Sequence, residues 1–130
     1  MDNSFEISIL LPASPERLFD AWLDSKEHSA FTGGKAKIQP KEGGKFTAWD
    51  GYILGKTIKL EPYRRIVQTW RTTEFPDGRP DSRLEILFEE VAEGTKLTLK
   101  HSRLPQGQAE MYHQGWFDNY FEPMKKYFSD

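Results

Sequence analysis

The chain contains no cysteine. Disulfide staples, thiolate metal sites and cysteine nucleophiles are therefore excluded from the outset. Excess positive charge is missing as well. Lys and Arg total 18 against 20 Asp and Glu, a formal net charge of −2. That leaves nothing to neutralise a phosphate backbone, so nucleic acid is not an expected partner. The local basic pairs Arg64-Arg65 and Lys125-Lys126 read as solvated charge. No apolar run approaches the length of a bilayer span. The N-terminal stretch MDNSFEISILLPAS is acidic and broken by Pro12, which is not the pattern of a signal peptide. A cytoplasmic chain with no membrane partner is the expectation.

Reactive groups are scarce too. The histidines are His28, His101 and His113. No carboxylate or second histidine stands at ligand spacing from His101 or His113, so no metal is expected. Ser82 and Ser102 lack a nucleophile elbow such as G-x-S-x-G, and no acid–base partner is identifiable for either. EGGKF and TGGK have the wrong glycine spacing for a phosphate loop and lead into strands. No cofactor is expected.

What the chain does have is rings: 14% of its residues are aromatic, enough to build a core or a pocket wall. Its 130 residues suit a single domain, 1–130, able to bury roughly two-thirds of its unfolded surface. SFEISILLPA alternates, with Phe5, Ile7, Ile9 and Leu11 on one face, as in a half-buried strand. SPERLFDAWLD then opens a helix, with Ser14 as N-cap, Pro15 at the first helical position and Leu18, Phe19, Trp22 and Leu23 as its apolar stripe. DSKEHSAFTGG fits a short second helix stopped by Gly33-Gly34, on which His28 reads as surface.

From Lys35 the period changes. KAKIQ, KFTAWD, YILGKTIKLEP, RRIVQTWRTTEF, SRLEILFEEV and TKLTLKHS read as strands, punctuated by turns such as Asp50-Gly51 and Pro76-Asp77-Gly78. Short connections make these strands antiparallel neighbours. Alternation puts Ile66, Gln68, Trp70 and Thr72 on one face, with Leu84, Ile86, Phe88, Leu97, Leu99 and His101 pointing the same way. After Pro105 the helical period returns, and HQGWFDNYFEPMKKYF carries a broad aromatic stripe. One face of so large a sheet has to be covered, and the last helix is the element to cover it. Pro123 is expected to bend that helix. The fold class is α+β: a curved antiparallel sheet of six or seven strands wrapped on a long C-terminal helix, with two short helices after the first strand. Such a grip leaves room for a cavity between helix and sheet.

GGKFTAWDGYILGKTIKLEPYRRIVQTWR, the FPDG turn, GTKLTL, the Leu104-Pro105 step and QGWFDNYFEPMKKYF together resemble one family within the START-like helix-grip superfamily. It is the activator of the ATPase of the 90-kDa heat-shock chaperone, in its C-terminal-domain type, and the resemblance runs from Phe5 to Phe128. It implies a stand-alone, bacterial, monomeric and non-enzymatic domain, with a heat-shock chaperone as partner. Full eukaryotic activators carry a further N-terminal domain that makes the main contact with the chaperone, and this chain begins at the first strand of the second. Relatives in the wider superfamily mostly bind hydrophobic small molecules.

Two binding surfaces follow. A small hydrophobic or aromatic ligand in the cavity would touch Gln68, Trp70, His101, Tyr112, Trp116 and Tyr120. Gln68 either bonds to Tyr112 or Tyr120, or faces the cavity. His101 is either a structural histidine bonded to a tyrosine or a ligand or proton-transfer group, and His113 faces the cavity mouth. For a protein partner, alternation from Phe46 and Ala48 places Trp49 on the outer face as a candidate anchor; the other reading packs it against a cross-strand neighbour.

Overall fold

The computed structural model describes residues 3–129. β1 (Phe5–Leu11) leads into α1 (Pro15–Leu23) and α2 (Ser25–Thr32). Six strands follow: β2 (Lys37–Ile38), β3 (Lys45–Ala48), β4 (Ile53–Glu61), β5 (Arg65–Thr72), β6 (Ser82–Val91) and β7 (Gly94–Ser102). The chain ends in α3 (Ala109–Trp116), a π-helical turn (Phe117–Phe121) and α4 (Glu122–Tyr127). This is the helix-grip architecture. The seven strands form one antiparallel sheet in the order β1-β7-β6-β5-β4-β3-β2, so the first strand joins the last hairpin and β2 is the far edge.

Local chemistry sets the helix ends as their sequences require. The Ser14 hydroxyl accepts from Arg17 N–H at 3.1 Å, and the Asp24 carboxylate accepts from Lys26 N–H at 3.0 Å. Gly33 closes α2 in the left-handed region, φ 88°, where a side chain would be strained. The sheet gets its curvature from β4. A Cβ at Gly55 would lie 2.0 Å from the Thr69 carbonyl oxygen, so only glycine allows that close approach. Two residues later the register with β5 slips between Thr57 and Lys59, leaving Ile58 as a bulge that bends the strand. β3 stops at Ala48, short of the full KFTAWD run, because Trp49 and Asp50 turn left-handed (φ 53° and 60°).

Ile66, Trp70, Leu84, Ile86, Leu97 and Leu99 are buried on the concave face, where alternation placed them. Between this face and the α1–α2 pair the C-terminal segment buries Tyr112, Trp116, Tyr120, Met124 and Phe128, each four residues after the one before. Four such steps on an α-helix wind the stripe about 160° around the axis. The π-helical turn takes back about 100° of that, one residue's worth, and keeps all five buried: Tyr112 and Trp116 meet Trp70 of the sheet, while Tyr120 and Phe128 meet Trp22, His28 and Phe31 of α1 and α2. Pro123 explains its place. The ring has no N–H for the carbonyl four residues back and clashes with that turn. Widening the turn before it, so that Glu122 N–H bonds to the Phe117 carbonyl, relieves both faults.

His28 is not on the surface. It is buried, with Nδ1 2.8 Å from the Trp22 carbonyl oxygen and Nε2 2.8 Å from the Tyr120 hydroxyl. The carbonyl can only accept, so Nδ1 carries the proton and Nε2 accepts from Tyr120. α2 is polar on one side only: His28, Phe31 and Thr32 form its buried face. Burial lowers the His28 pKa to about 4, against a smaller upward pull from the Trp22 carbonyl. In the unfolded chain it titrates at about 6.5. Between those values the unfolded chain binds the extra proton, so this stability is complete above pH 6.5 and is lost as pH falls toward 4. In urea titrations between pH 6 and 4.5, unfolding free energy should fall by about 1.4 kcal/mol per pH unit on account of His28. A His28→Gln variant should show a slope shallower by that amount, and an identical slope would mean that the native histidine titrates freely.

Candidate functional site

The helix does not fill the grip. Between α3, the π-helical turn and the β3–β4 end of the sheet lies a cavity of about 250 Å³. Trp70 of β5 and Ile53 of β4 line the sheet side, and Trp49 and Tyr52 come from the turn between β3 and β4. The helix contributes Tyr112, Gly115, Trp116, Asn119 and Tyr120. Ile53, Trp70, Tyr112, Trp116 and Tyr120 are buried and form the floor, while Trp49, Tyr52, Gly115 and Asn119 are half-buried or exposed and form the rim. No residue of this lining is charged. Among the described residues, no group of three or more His, Asp or Glu is placed to hold a metal ion.

Four of the residues expected in a cavity line it: Trp70, Tyr112, Trp116 and Tyr120. Gln68 does not. It is buried across the β4–β5 pair, its amide donating to Thr57 Oγ1 at 3.2 Å rather than to a tyrosine. Register decides this, since Thr57 is the strand partner of Gln68. His101 lies behind the wall, fully buried, with the Trp70 ring edge-on at 4.5 Å. His113 packs between Phe5 (5.1 Å) and Phe117 (5.4 Å) and is not part of the lining.

The bonds of His101 determine what it can do. Trp116 Nε1 lies 3.1 Å from its Nδ1, and Ser82 Oγ lies 2.9 Å from its Nε2. An indole N–H can only donate, so Nδ1 is the acceptor and the proton sits on Nε2. Nε2–H then donates to Ser82, whose hydroxyl donates to the Trp70 carbonyl oxygen at 2.6 Å. The expected tyrosine partner is thus replaced by Trp116 and Ser82. Burial pushes the His101 pKa down to about 3, and a second proton would face the Trp116 donor. This imidazole is held neutral with both nitrogens occupied; it fixes Trp116 against the sheet.

A second clamp orients Tyr112. Thr72 Oγ1 is 2.6 Å from the Tyr112 hydroxyl, which donates to Gln108 Oε1 at 2.8 Å, and Gln108 Nε2 donates to the Glu74 carbonyl at 3.0 Å. The start of α3 is thereby tied to the end of β5. At the rim, the Tyr52 hydroxyl donates to the Glu74 carboxylate. Burial, then that bond, holds the Tyr52 phenol well above its ordinary pKa.

Trp49 is where the sequence expectation fails most clearly. Its ring lines the cavity instead of projecting from the outer face. The left-handed backbone at Trp49 and Asp50 breaks the strand, so alternation from Ala48 does not extend to it. Gly34 packs under the ring: a Cβ there would lie 2.6 Å from it. Asp50 N–H donates to the Lys35 carbonyl at 2.9 Å, fixing the turn against that loop. Trp49 Nε1 is nevertheless buried without any hydrogen-bond partner, alone in this among the buried side-chain nitrogens and oxygens of the described residues. Sequence reasoning also missed Tyr52, Ile53, Gly115 and Asn119. Gly115 and Asn119 had a signal, since each lies three residues after a lining aromatic, Tyr112 and Trp116. Tyr52 and Ile53 had none, because the turn before them re-aims the strand.

The Activator of Hsp90 ATPase homolog 1-like protein family matches this chain over residues 12–129. The human activator of 90 kDa heat shock protein ATPase homolog 1 is 31% identical over 115 residues, covering 88% of this chain and 34% of the human protein. The Dictyostelium discoideum activator of 90 kDa heat shock protein ATPase homolog is 31% identical over 119 residues, 89% of this chain and 30% of that protein. The chain thus spans about a third of the length of these curated relatives. The crystal structure of an HSP90 activator from Plasmodium falciparum superposes with a TM-score of 0.89 at 29% identity, covering 97% of this chain and 96% of that one. The chain belongs to the Activator of Hsp90 ATPase homolog 1-like protein family.

Proposed function

We propose that this domain is a non-enzymatic, co-chaperone-like module that binds a 90-kDa heat-shock chaperone through the outer face of strands β2 to β4. What supports the partner is family membership, with relatives named as activators of that chaperone's ATPase over nearly the whole of this chain. What favours the surface is its charge. Lys45 and Lys56 are exposed and stand directly opposite one another on β3 and β4, and Lys37 is exposed on the adjoining edge strand. None of the three forms an ion pair among the described residues. Like charges directly across a strand pair destabilise a sheet, so their juxtaposition is understandable on a surface that meets an acidic partner. Against an enzyme stands His101, the one candidate base, with both nitrogens occupied and no surface exposed.

The test is an amide-resolved NMR titration of the labelled domain with its host's 90-kDa chaperone. Shifts or broadening should concentrate on β2 to β4 and weaken as salt is raised. Lys45→Glu separates binding from folding. It turns a like-charge pair into an opposite-charge pair, so it should stabilise the domain by about 0.2–1 kcal/mol while weakening the complex. Unchanged affinity in that variant would remove the charged face from the interface; an unperturbed spectrum at high chaperone concentration would end the co-chaperone reading.

A further inference from the structure

We infer that the free edge of β1 is a self-association site: two copies of this chain pair β1 with β1, antiparallel, about a two-fold axis at Ser8, so that one sheet runs through the dimer. This goes beyond the chaperone reading and uses the opposite end of the sheet from β2 to β4.

The sheet has two edges, β1 and β2, and they are finished differently. β2 is two residues long, and α2 closes it. The Ser25 hydroxyl accepts from Ile38 N–H at 2.8 Å and donates to the Ile38 carbonyl at 3.3 Å, and the Ser29 hydroxyl accepts from Ala36 N–H at 2.8 Å. β1 is seven residues long and pairs with β7 alone. Among the described residues no hydrogen bond reaches its other edge. No lysine, proline or bulge interrupts it either. A long edge left so presents unpaired N–H and C=O groups to a further strand.

The side chains leave the same edge unfinished. Leu10, at 56%, is the most exposed large hydrophobic residue among those described. On the inner side Ile7 and Leu11 are buried, but Phe5 and Ile9 are half-buried. So is Phe117, which is joined to Phe5 through the His113 ring.

Register identifies the occupant. A slip of one residue would set inner side chains opposite outer ones, so the axis passes through a residue and not between two. At Glu6 it would oppose two carboxylates, a destabilising pair. At Ile7 or Ile9 it would leave two of the seven residues without a strand partner. At Ser8 every residue of β1 is paired: Phe5 with Leu11 and Ile7 with Ile9 inside, Glu6 with Leu10 and Ser8 with itself outside. Apolar then meets apolar on the inner face, and the Glu6 methylenes cover Leu10. Pro12 has no N–H to extend the ladder past Leu11. Charge agrees with this register. Lys96 is the β7 partner of Leu10, so Glu6 of one copy lies two strand spacings, about 10 Å, from Lys96 of the other, within reach of two long side chains. Neither forms an ion pair among the described residues. A foreign strand would have to supply this pattern, whereas a second copy already carries it.

Sedimentation velocity of the full chain over a concentration series tests the assignment. A reversible monomer–dimer equilibrium is expected, with amide hydrogen exchange in β1 slowing as dimer accumulates. Leu10→Glu faces Lys96 within its own chain, which favours the folded monomer, but meets Glu6 of the other copy twice per dimer. It should weaken dimerisation by about two- to thirtyfold. Residue 8 meets itself only in this register, and Ser8 is exposed, with its hydroxyl on Thr98 at 3.0 Å. Ser8→Lys and Ser8→Glu should therefore each weaken self-association. Mixed together, the two variants should form heterodimers in excess of the statistical proportion, as read by native mass spectrometry. A monomer at every soluble concentration, a dimer indifferent to Leu10→Glu, or purely statistical mixing of the Ser8 variants would each overturn the assignment. Lys45→Glu should leave dimerisation as it is, so failure of either reading leaves the other standing.

Discussion

The structure depends on one geometric constraint: five side chains spaced four residues apart must all stay buried between the concave sheet face and the α1–α2 pair. An unbroken α-helix cannot do this, because its stripe drifts steadily around the axis. The π-helical turn at Phe117–Phe121 corrects the drift, and Pro123 makes the wider turn the favourable one by withholding its N–H. Seated in this way, the helix presents Tyr112, Trp116 and Tyr120 to the sheet while Gly115 and Asn119 fall along the cavity. Pro123, itself outside the lining, thus governs the cavity's outline, since any change that restored a regular helix would rotate the residues on one side of the turn relative to those on the other.

Polar groups inside this core act as locators. His101 receives Trp116, His28 receives Tyr120, and Thr72 with Gln108 holds Tyr112. Each aromatic residue on the helix side of the cavity floor therefore has a fixed hydrogen-bonded tip, which narrows the positions its ring can occupy. Keeping both histidines neutral is part of the arrangement, because a charged imidazole at either place would set donor against donor or bury a charge without a counterion. The wall so made is rigid on the helix side. The opposite rim is held differently: Trp49 and Tyr52 ride on a turn tied to the Lys35 carbonyl through Asp50 and to Glu74 through the Tyr52 hydroxyl.

Alternation and helical spacing were enough to read the sheet, its inner face and the aromatic helix, because β5, β6 and β7 are long and regular and each inward position is apolar or paired. Trp70, Tyr112, Trp116 and Tyr120 were legible for that reason. Trp49 was not: two left-handed residues reset the direction of its side chain, and nothing in KFTAWDG distinguishes that turn from one residue more of strand. His28 was misread because a short helix with few apolar residues looks exposed until a neighbour, here Tyr120 from 92 residues later in the chain, closes over it. Gln68 required the register of β4 on β5, which the bulge at Ile58 displaces. In each case the missing information was a contact between distant segments or a backbone conformation that residue types leave open.

The β3–β4 hairpin joins the two surfaces. Its strands carry Lys45 and Lys56 outward, and its turn carries Trp49 and Tyr52 inward. Successive residues of a strand point to opposite faces, so a tilt of the hairpin moves both surfaces together. β2 beyond it is only two residues long and adds little restraint at that edge, whereas β5 to β7 are locked by long ladders and by the helix. Linkage then fixes the energetics: if an inner ligand alters partner affinity by some factor, the partner alters ligand affinity by the same factor. The sign follows from the hairpin position each occupant favours, and the two surfaces are uncoupled only if both favour the same mixture of positions that the free domain adopts.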